Sequence, residues 1–284
     1  MDEPFVAIVG AGVMGTGIST LVVGHGLPVV LVDVDEGVLE RARAASATGL
    51  RHAQLTGALP PGCVPGKLHT TLSLSDTADA IAVIEAVTEL PEKKAEVLAG
   101  ISALVRPGTP LISNTSGIPI DEMAAWVPRP EDLIGTHFMN PAYLIAMVEV
   151  IRGPKTADKT VESVLSLLTR IGRRPVVVND APGFVTSRLL HPMINDAAQV
   201  VGEGTASVEE VDTLMQGCLG HPTGPLRTAD LIGIDNLVDA LNALHARTGD
   251  ERCRPSKVLL EKVRRGELGR KSGRGFYVYS EAKS

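Results

Sequence analysis

Gly10-Ala-Gly12-Val13-Met14-Gly15 follows directly on the apolar run Phe5–Val9, and Asp33 stands 18 positions after the last of these glycines, closing a second apolar run, Val29–Val32. Glycines at this spacing suit a phosphate. Gly10 makes a tight turn, Gly12 lets backbone N–H groups approach a pyrophosphate at a helix N-terminus, and Gly15 lets helix and strand pack closely. Asp33 is near the spacing, roughly 20 residues, at which a carboxylate meets the hydroxyls of an adenosine ribose. A 2′-phosphate would be repelled there, and Val34, Asp35 and Glu36 bring no arginine to receive one. The expected ligand is NAD rather than NADP. A nicotinamide accepts hydride, and an alcohol that loses hydride must also lose its hydroxyl proton, for which histidine is the side chain titrating near neutrality.

Such residues need a scaffold, and the apolar pattern supplies one. Phe5–Val9 and Val29–Val32 are continuous apolar runs, as expected of strands buried on both faces of a parallel sheet, and the helical stretch between them makes a βαβ unit. Further runs at Ala82–Val87, Pro110–Ile112 and Leu133–Phe138 alternate with helical stretches near 92–105 and 157–171. That is the rhythm of a doubly wound α/β sheet. After Arg174–Val178 and the breaker Asp180-Ala-Pro182-Gly183, helical periodicity runs through Phe184–Val201, Val208–Leu219 and Leu231–Ala246. The expectation is a Rossmann-type domain over 1–182 and an all-helical domain over 183–284, with Leu59–Gly66 a rigid connecting loop.

Ser113-Asn114-Thr-Ser116, Gly135-Thr-His137-Phe-Met-Asn140-Pro141 and Val148-Glu149-Val150 together resemble the 3-hydroxyacyl-CoA dehydrogenase family, including its short-chain 3-hydroxybutyryl members. The likeness extends to Glu85-Ala-Val-Thr-Glu89 with Lys94, Pro182-Gly183-Phe184, Gly220–Pro225 and Gly269–Tyr277, so it spans nearly the whole chain. It implies that His137 is the base and that Glu149 orients it and stabilises the imidazolium. Ser116 is implied as a hydrogen-bond partner of the substrate oxygen, with Glu89, Lys94, Asn114 and Asn140 contacting the cofactor or its ribose. It further implies an acyl thioester as substrate and a homodimer joined through the helical domain, where helices such as Leu231–Ala246 would otherwise leave an apolar face exposed.

This chain departs from the family's pattern where substrate is expected. Ser187 replaces an asparagine five residues after Pro182, offering one hydroxyl in place of an amide. Gly117 follows Ser116, and Tyr143-Leu-Ile-Ala146 follows Asn140-Pro141, features similar to dehydrogenases of free hydroxy compounds such as carnitine and gulonate. In 42–66, where the family binds CoA on a helical hairpin, Arg51, with Lys67 just beyond, looks thin for phosphates. The carrier is therefore read as CoA or an acyl-carrier protein. A dehydrogenase of a free polar hydroxy compound and a non-catalytic NAD-binding relative stand as alternatives.

Composition excludes other classes. Residues 1–182 carry 14 Lys/Arg against 20 Asp/Glu, so the net charge of −6 falls wholly there, and no basic stripe suits nucleic acid. No apolar run reaches the roughly 18 residues a membrane span needs, and the acidic opening Met1-Asp2-Glu3-Pro4 is unlike a targeting segment. A cytoplasmic location is expected. Cys63, Cys218 and Cys253 are too scattered for a disulfide framework, and neither they nor the seven histidines show metal-ligand spacing.

Overall fold

A computed structural model describes residues 3–279. The chain divides into two compact units, Met1–Ala181 and Pro182–Ser284. Among the described residues, eight strands of the first unit form one sheet, and the doubly wound architecture expected from the apolar rhythm is present. Strand β1 (Val6–Val9) is buried throughout and leads through the glycine turn into α1 (Val13–Gly24). It pairs in parallel with β2 (Val29–Val32), Val9 opposite Val32, which sets the end of β2 beside the turn. The Asp35 side chain accepts from the Val38 N–H and starts α2 (Glu36–Leu55), a single helix of 20 residues. No helical hairpin fills 42–66: residues 56–67 are turn and loop.

The remaining elements of this unit are β3 (Leu68–Thr71), β4 (Ala82–Glu85), α3 (Pro91–Leu104), β5 (Leu111–Asn114), α4 (Ile120–Met123), β6 (Leu133–Phe138), β7 (Met147–Arg152), α5 (Asp158–Arg170) and β8 (Arg174–Asn179). The sheet order is β3-β2-β1-β4-β5-β6-β7-β8. Every adjacent pair is parallel except β6 and β7, which run antiparallel because only Met139–Ala146 joins them. A loop of eight residues can close a hairpin but cannot carry the long crossover that a parallel neighbour requires. Strand β3 escapes the apolar rhythm because it is an edge strand of Leu-His-Thr-Thr with no buried residue.

The second unit contains α6 (Thr186–Gly202), α7 (Val208–Leu219), α8 (Pro225–Ile232), α9 (Ile234–Thr248) and α10 (Lys257–Arg264). The continuous helix expected over Leu231–Ala246 is divided: Gly233 takes φ +96°, a conformation that L side chains avoid, and ends α8 where α9 begins. Ile234, Leu237, Leu241 and Leu244 of α9 are buried inside the unit, so its apolar face is already covered, contrary to the expectation of an exposed one. Two buried carboxylates fasten the rest. Asp212 accepts from the Leu226 and Arg227 N–H groups at the start of α8, and Asp230 from the Phe276 and Tyr277 N–H groups. The glycines of Gly269–Gly275 have a reason in this contact, since a Cβ on Gly275 would lie 2.0 Å from Asp230 Oδ1. Among the described residues no helix is long and apolar enough to cross a membrane.

Candidate active site

The glycine turn is shaped by close approach. Gly10 has φ +102°, and a Cβ there would lie 2.7 Å from the Ala86 carbonyl carbon. A Cβ on Gly15 would fall 1.7 Å from the Gly10 carbonyl oxygen, whereas one on Gly12 would meet nothing within 4 Å. Gly12 is also the N-cap of α1 and offers no side-chain acceptor to its first turn, so N–H groups remain for an anion. Asp33 Oδ2 accepts from the Ala11 N–H at 2.7 Å and Oδ1 from those of Val34 and Asp35, which ties the strand end to the turn. An ionised carboxylate accepts about four hydrogen bonds, so capacity remains for ribose hydroxyls. These residues fit NAD. Val13 is exposed and Met14 half-buried against the core. The arginine-free strand end needs one amendment, because Arg41 brings Nη1 to within 3.4 Å of where a Gly37 Cβ would stand.

His137 and Glu149 are direct partners in the β6–β7 ladder. Opposite residues of an antiparallel pair share a face with Cβ atoms about 4.5–5.5 Å apart, so 12 residues of sequence become one side-chain contact: His137 Nδ1 lies 2.9 Å from Glu149 Oε2. Both residues are buried, at 7% and 8% exposure, where a charge-assisted bond is little screened. Beside them the Phe138 N–H donates to Asn114 Oδ1 at 3.2 Å, which pins the end of β5 to β6 one residue from the histidine.

Ser116 is exposed just beyond β5, and its backbone is held by Glu89. Glu89 Oε1 accepts from Thr115 Oγ1 at 2.5 Å and from the Ser116 and Gly117 N–H groups at 2.8 and 3.2 Å. Lys94 is wholly buried. Its ammonium meets Glu85 Oε1 and Oε2 at 2.8 and 3.0 Å, Glu89 Oε2 at 3.2 Å and the Asn114 carbonyl at 3.4 Å. Its three donors are therefore engaged within the protein, and it braces the ends of β4 and β5 rather than presenting a free cation. Burial pushes the Glu85 carboxyl above its ordinary range, against the opposing pull of Lys94, Ser113 and the Val87 N–H. Burial acts the same way on Glu89, but there Lys94, Thr115 and the Ser116 N–H prevail and hold the carboxyl low.

Asn140 is exposed at the start of the β6–β7 loop. Arg173, only 7% exposed, fixes that loop by donating from Nη1 to the Ala142 and Ile145 carbonyls at 3.2 and 2.9 Å. Tyr143 crosses to α2, where its hydroxyl lies 3.3 Å from His52 Nδ1 and the two rings meet edge to face. Asn140, Pro141 and Tyr143 thereby wall a groove of about 910 Å³ that continues from Gly12 and Val13 along α2 past Arg41 and Thr48. The sequence count of basic groups near this helix omitted Arg41 and Arg43; Arg43 pairs with Glu36 and Thr70, while Arg41 lines the groove. Ser187 belongs to the second unit, buried in the first turn of α6.

Residues 5–181 match the 3-hydroxyacyl-CoA dehydrogenase NAD-binding domain, and residues 183–279 match the C-terminal domain of the same family. The chain belongs to the 3-hydroxyacyl-CoA dehydrogenase family. It is 41% identical over 274 residues to a "probable 3-hydroxybutyryl-CoA dehydrogenase" of Deinococcus radiodurans, covering 96% of this chain and 99% of that one. A 3-hydroxybutyryl-CoA dehydrogenase of Bradyrhizobium diazoefficiens is 37% identical, over 98% of this chain and 96% of its own. The crystal structure of (S)-3-hydroxybutyryl-CoA dehydrogenase from Ralstonia eutropha superposes with a TM-score of 0.89 at 39% identity, covering 98% and 99% of the two chains. The family assignment makes the protein an NAD-dependent oxidoreductase.

Thr115, Ser113, Arg173 and the His52–Tyr143 contact were not singled out by spacing as parts of the site. Their partners lie 26 to 91 residues away in sequence, with no periodicity to reveal them. Glu85 could have been suspected, since a carboxylate that closes a buried apolar strand must find a partner.

Proposed function

We propose that this protein interconverts a 3-hydroxyacyl thioester, carried on CoA or on an acyl-carrier protein, with its 3-oxo form, using His137 and Glu149 as a dyad. The observation that carries the reading is the ladder pairing that sets Nδ1 of the histidine 2.9 Å from the carboxylate. With Nδ1–H donating to Glu149, the acceptor nitrogen of the neutral ring is Nε2, which takes the proton of the substrate's 3-hydroxyl. The hydrogen on the same carbon departs with its electron pair; NAD supplies the acceptor for that hydride. Glu149 stabilises the imidazolium that results, and the Ser116 hydroxyl hydrogen-bonds the substrate oxygen as it gains carbonyl character. Gly10, Gly12, Val13, Met14, Gly15 and Asp33 hold the dinucleotide, and Asn114, Asn140 and Glu89 are read toward its ribose. Ser187 is proposed as a weaker substrate contact in place of the family's asparagine.

The test follows NADH absorbance with hydroxyacyl-CoA, hydroxyacyl-carrier protein and free hydroxy acids, ranked by kcat/KM. His137→Gln is expected to lower kcat about 10²–10⁴-fold without changing the affinity for NAD. A full rate in that variant removes the base assignment, and turnover of free acids alone removes the thioester. The latter is the second reading, favoured by Gly117 and by Tyr143 on the groove wall. A homodimer through the helical unit is part of the proposal: Leu189 of α6 and Leu214 and Leu219 of α7 are 57–69% exposed. Light scattering that returns a monomer's mass would remove it.

A further inference from the structure

The groove along α2 is continuous with the glycine turn and with Asn140, so whatever enters it approaches the dinucleotide-binding end of the sheet. Small residues, Ala42, Ala45 and Gly49 among them, line it along α2. Arg41 lines it and Arg51 donates to the hydroxyl of Thr48 on its wall; among the described residues, no carboxylate lies within ion-pair distance of either guanidinium. A flexible amide chain ending in phosphate, the arm shared by CoA and carrier-protein thioesters, suits small residues beside unpaired guanidinium groups. Tyr143 stands across this path. A Cβ on Gly49 would lie 3.5 Å from its Cε1, and its hydroxyl reaches His52, so ring and imidazole together bridge the α2 side of the groove. The backbone beneath Tyr143 is held by Arg173, so opening falls to rotation of the side chain.

We propose that Tyr143, latched to His52, is a specificity-determining residue that sets how readily the site admits a long substrate arm. The inference rests on the thioester reading above and deepens it. A closed latch reduces the apparent affinity of a long-armed substrate by the fraction of molecules that are open, and leaves a short one unaffected. The experiment compares 3-hydroxybutyryl-CoA, the same acid on a carrier protein, and its N-acetylcysteamine thioester, in the wild-type protein, Tyr143→Phe, Tyr143→Ala and His52→Ala. Tyr143→Phe keeps the ring and removes only the hydroxyl, which guards against a folding defect in the alanine variant. The expected result is a KM for the CoA thioester lowered about threefold in Tyr143→Phe and His52→Ala and about tenfold in Tyr143→Ala, with kcat and the truncated thioester unchanged. The carrier-protein arm identifies the source of the phosphate: the thioester whose KM falls more is the arm the latch screens. Equal shifts for long and short thioesters, no shift, or a higher KM for both long-armed substrates would each overturn the latch while leaving the dehydrogenase reading intact. Failure of the wild-type protein to oxidise any of the three thioesters removes that reading, and the latch with it.

Discussion

In the proposed reaction His137 depends on Glu149, its ladder partner on the next strand, and what that partner contributes is its charge. Glu149→Gln keeps the size of the side chain but can present its amide nitrogen to Nδ1 and so favour the wrong tautomer. We expect kcat to fall by up to about 10⁴-fold, the loss that a tautomer error causes in the comparable serine-protease triad, while circular dichroism and NAD affinity stay unchanged. Lys94 presents the opposite case, a buried cation whose partners matter to folding. Lys94→Met would strand Glu85 in the interior without a counter-charge, at a cost of about 3–5 kcal/mol, measurable as a lower midpoint in urea. At this scale the sequence was legible in placement, since Asp33 meets the glycine turn and His137 meets Glu149. It was illegible where a common residue acquires its role from a distant partner: the carbonyls that Arg173 binds lie 28 and 31 residues back, on a loop whose path no local pattern dictates.

Elements reverse that balance. Buried parallel strands advertise themselves as apolar runs, and β6 coincides with the expected Leu133–Phe138. Helix α7 likewise coincides with Val208–Leu219, because Ser207 and Glu210 form a capping box at its start and Gly220 ends it in the left-handed region. Strand β3 was invisible because an edge strand needs no apolar face, and the α8–α9 break was invisible because one glycine among apolar neighbours does not interrupt a helical pattern. The α1 turn yields a prediction at this scale. Gly15→Ala would drive a methyl group into the backbone oxygen of Gly10, and no side chain can move to relieve it. The helix must shift from its strand, so NAD affinity is expected to weaken at least about tenfold, a change of roughly 1.4 kcal/mol, by fluorescence titration. An unchanged affinity would show that the turn does not hold the dinucleotide.

For the whole molecule, acid is the informative perturbation. His25 sits between the end of α1 and the turn at Gly172, its Nδ1 2.9 Å from the Leu21 carbonyl. Burial, reinforced by Arg173 and opposed by the Leu21 carbonyl, holds its pKa below the ordinary 6.5. The unfolded chain therefore takes up this proton more readily than the folded one, and stability declines as the pH falls below about 6.5. In His25→Gln the urea midpoint should depend less on pH between neutrality and mild acid, even though the variant is less stable at neutral pH. An unaltered slope would place the acid sensitivity elsewhere. The reversal of β7 has a different kind of consequence. Because the contact between His137 and Glu149 is set by main-chain pairing below Met139–Ala146, the part of that segment beyond Asn140-Pro141 can be rewritten by natural drift or by a randomised library without disturbing that contact. Descendants that differ there would diverge in diet while keeping one engine.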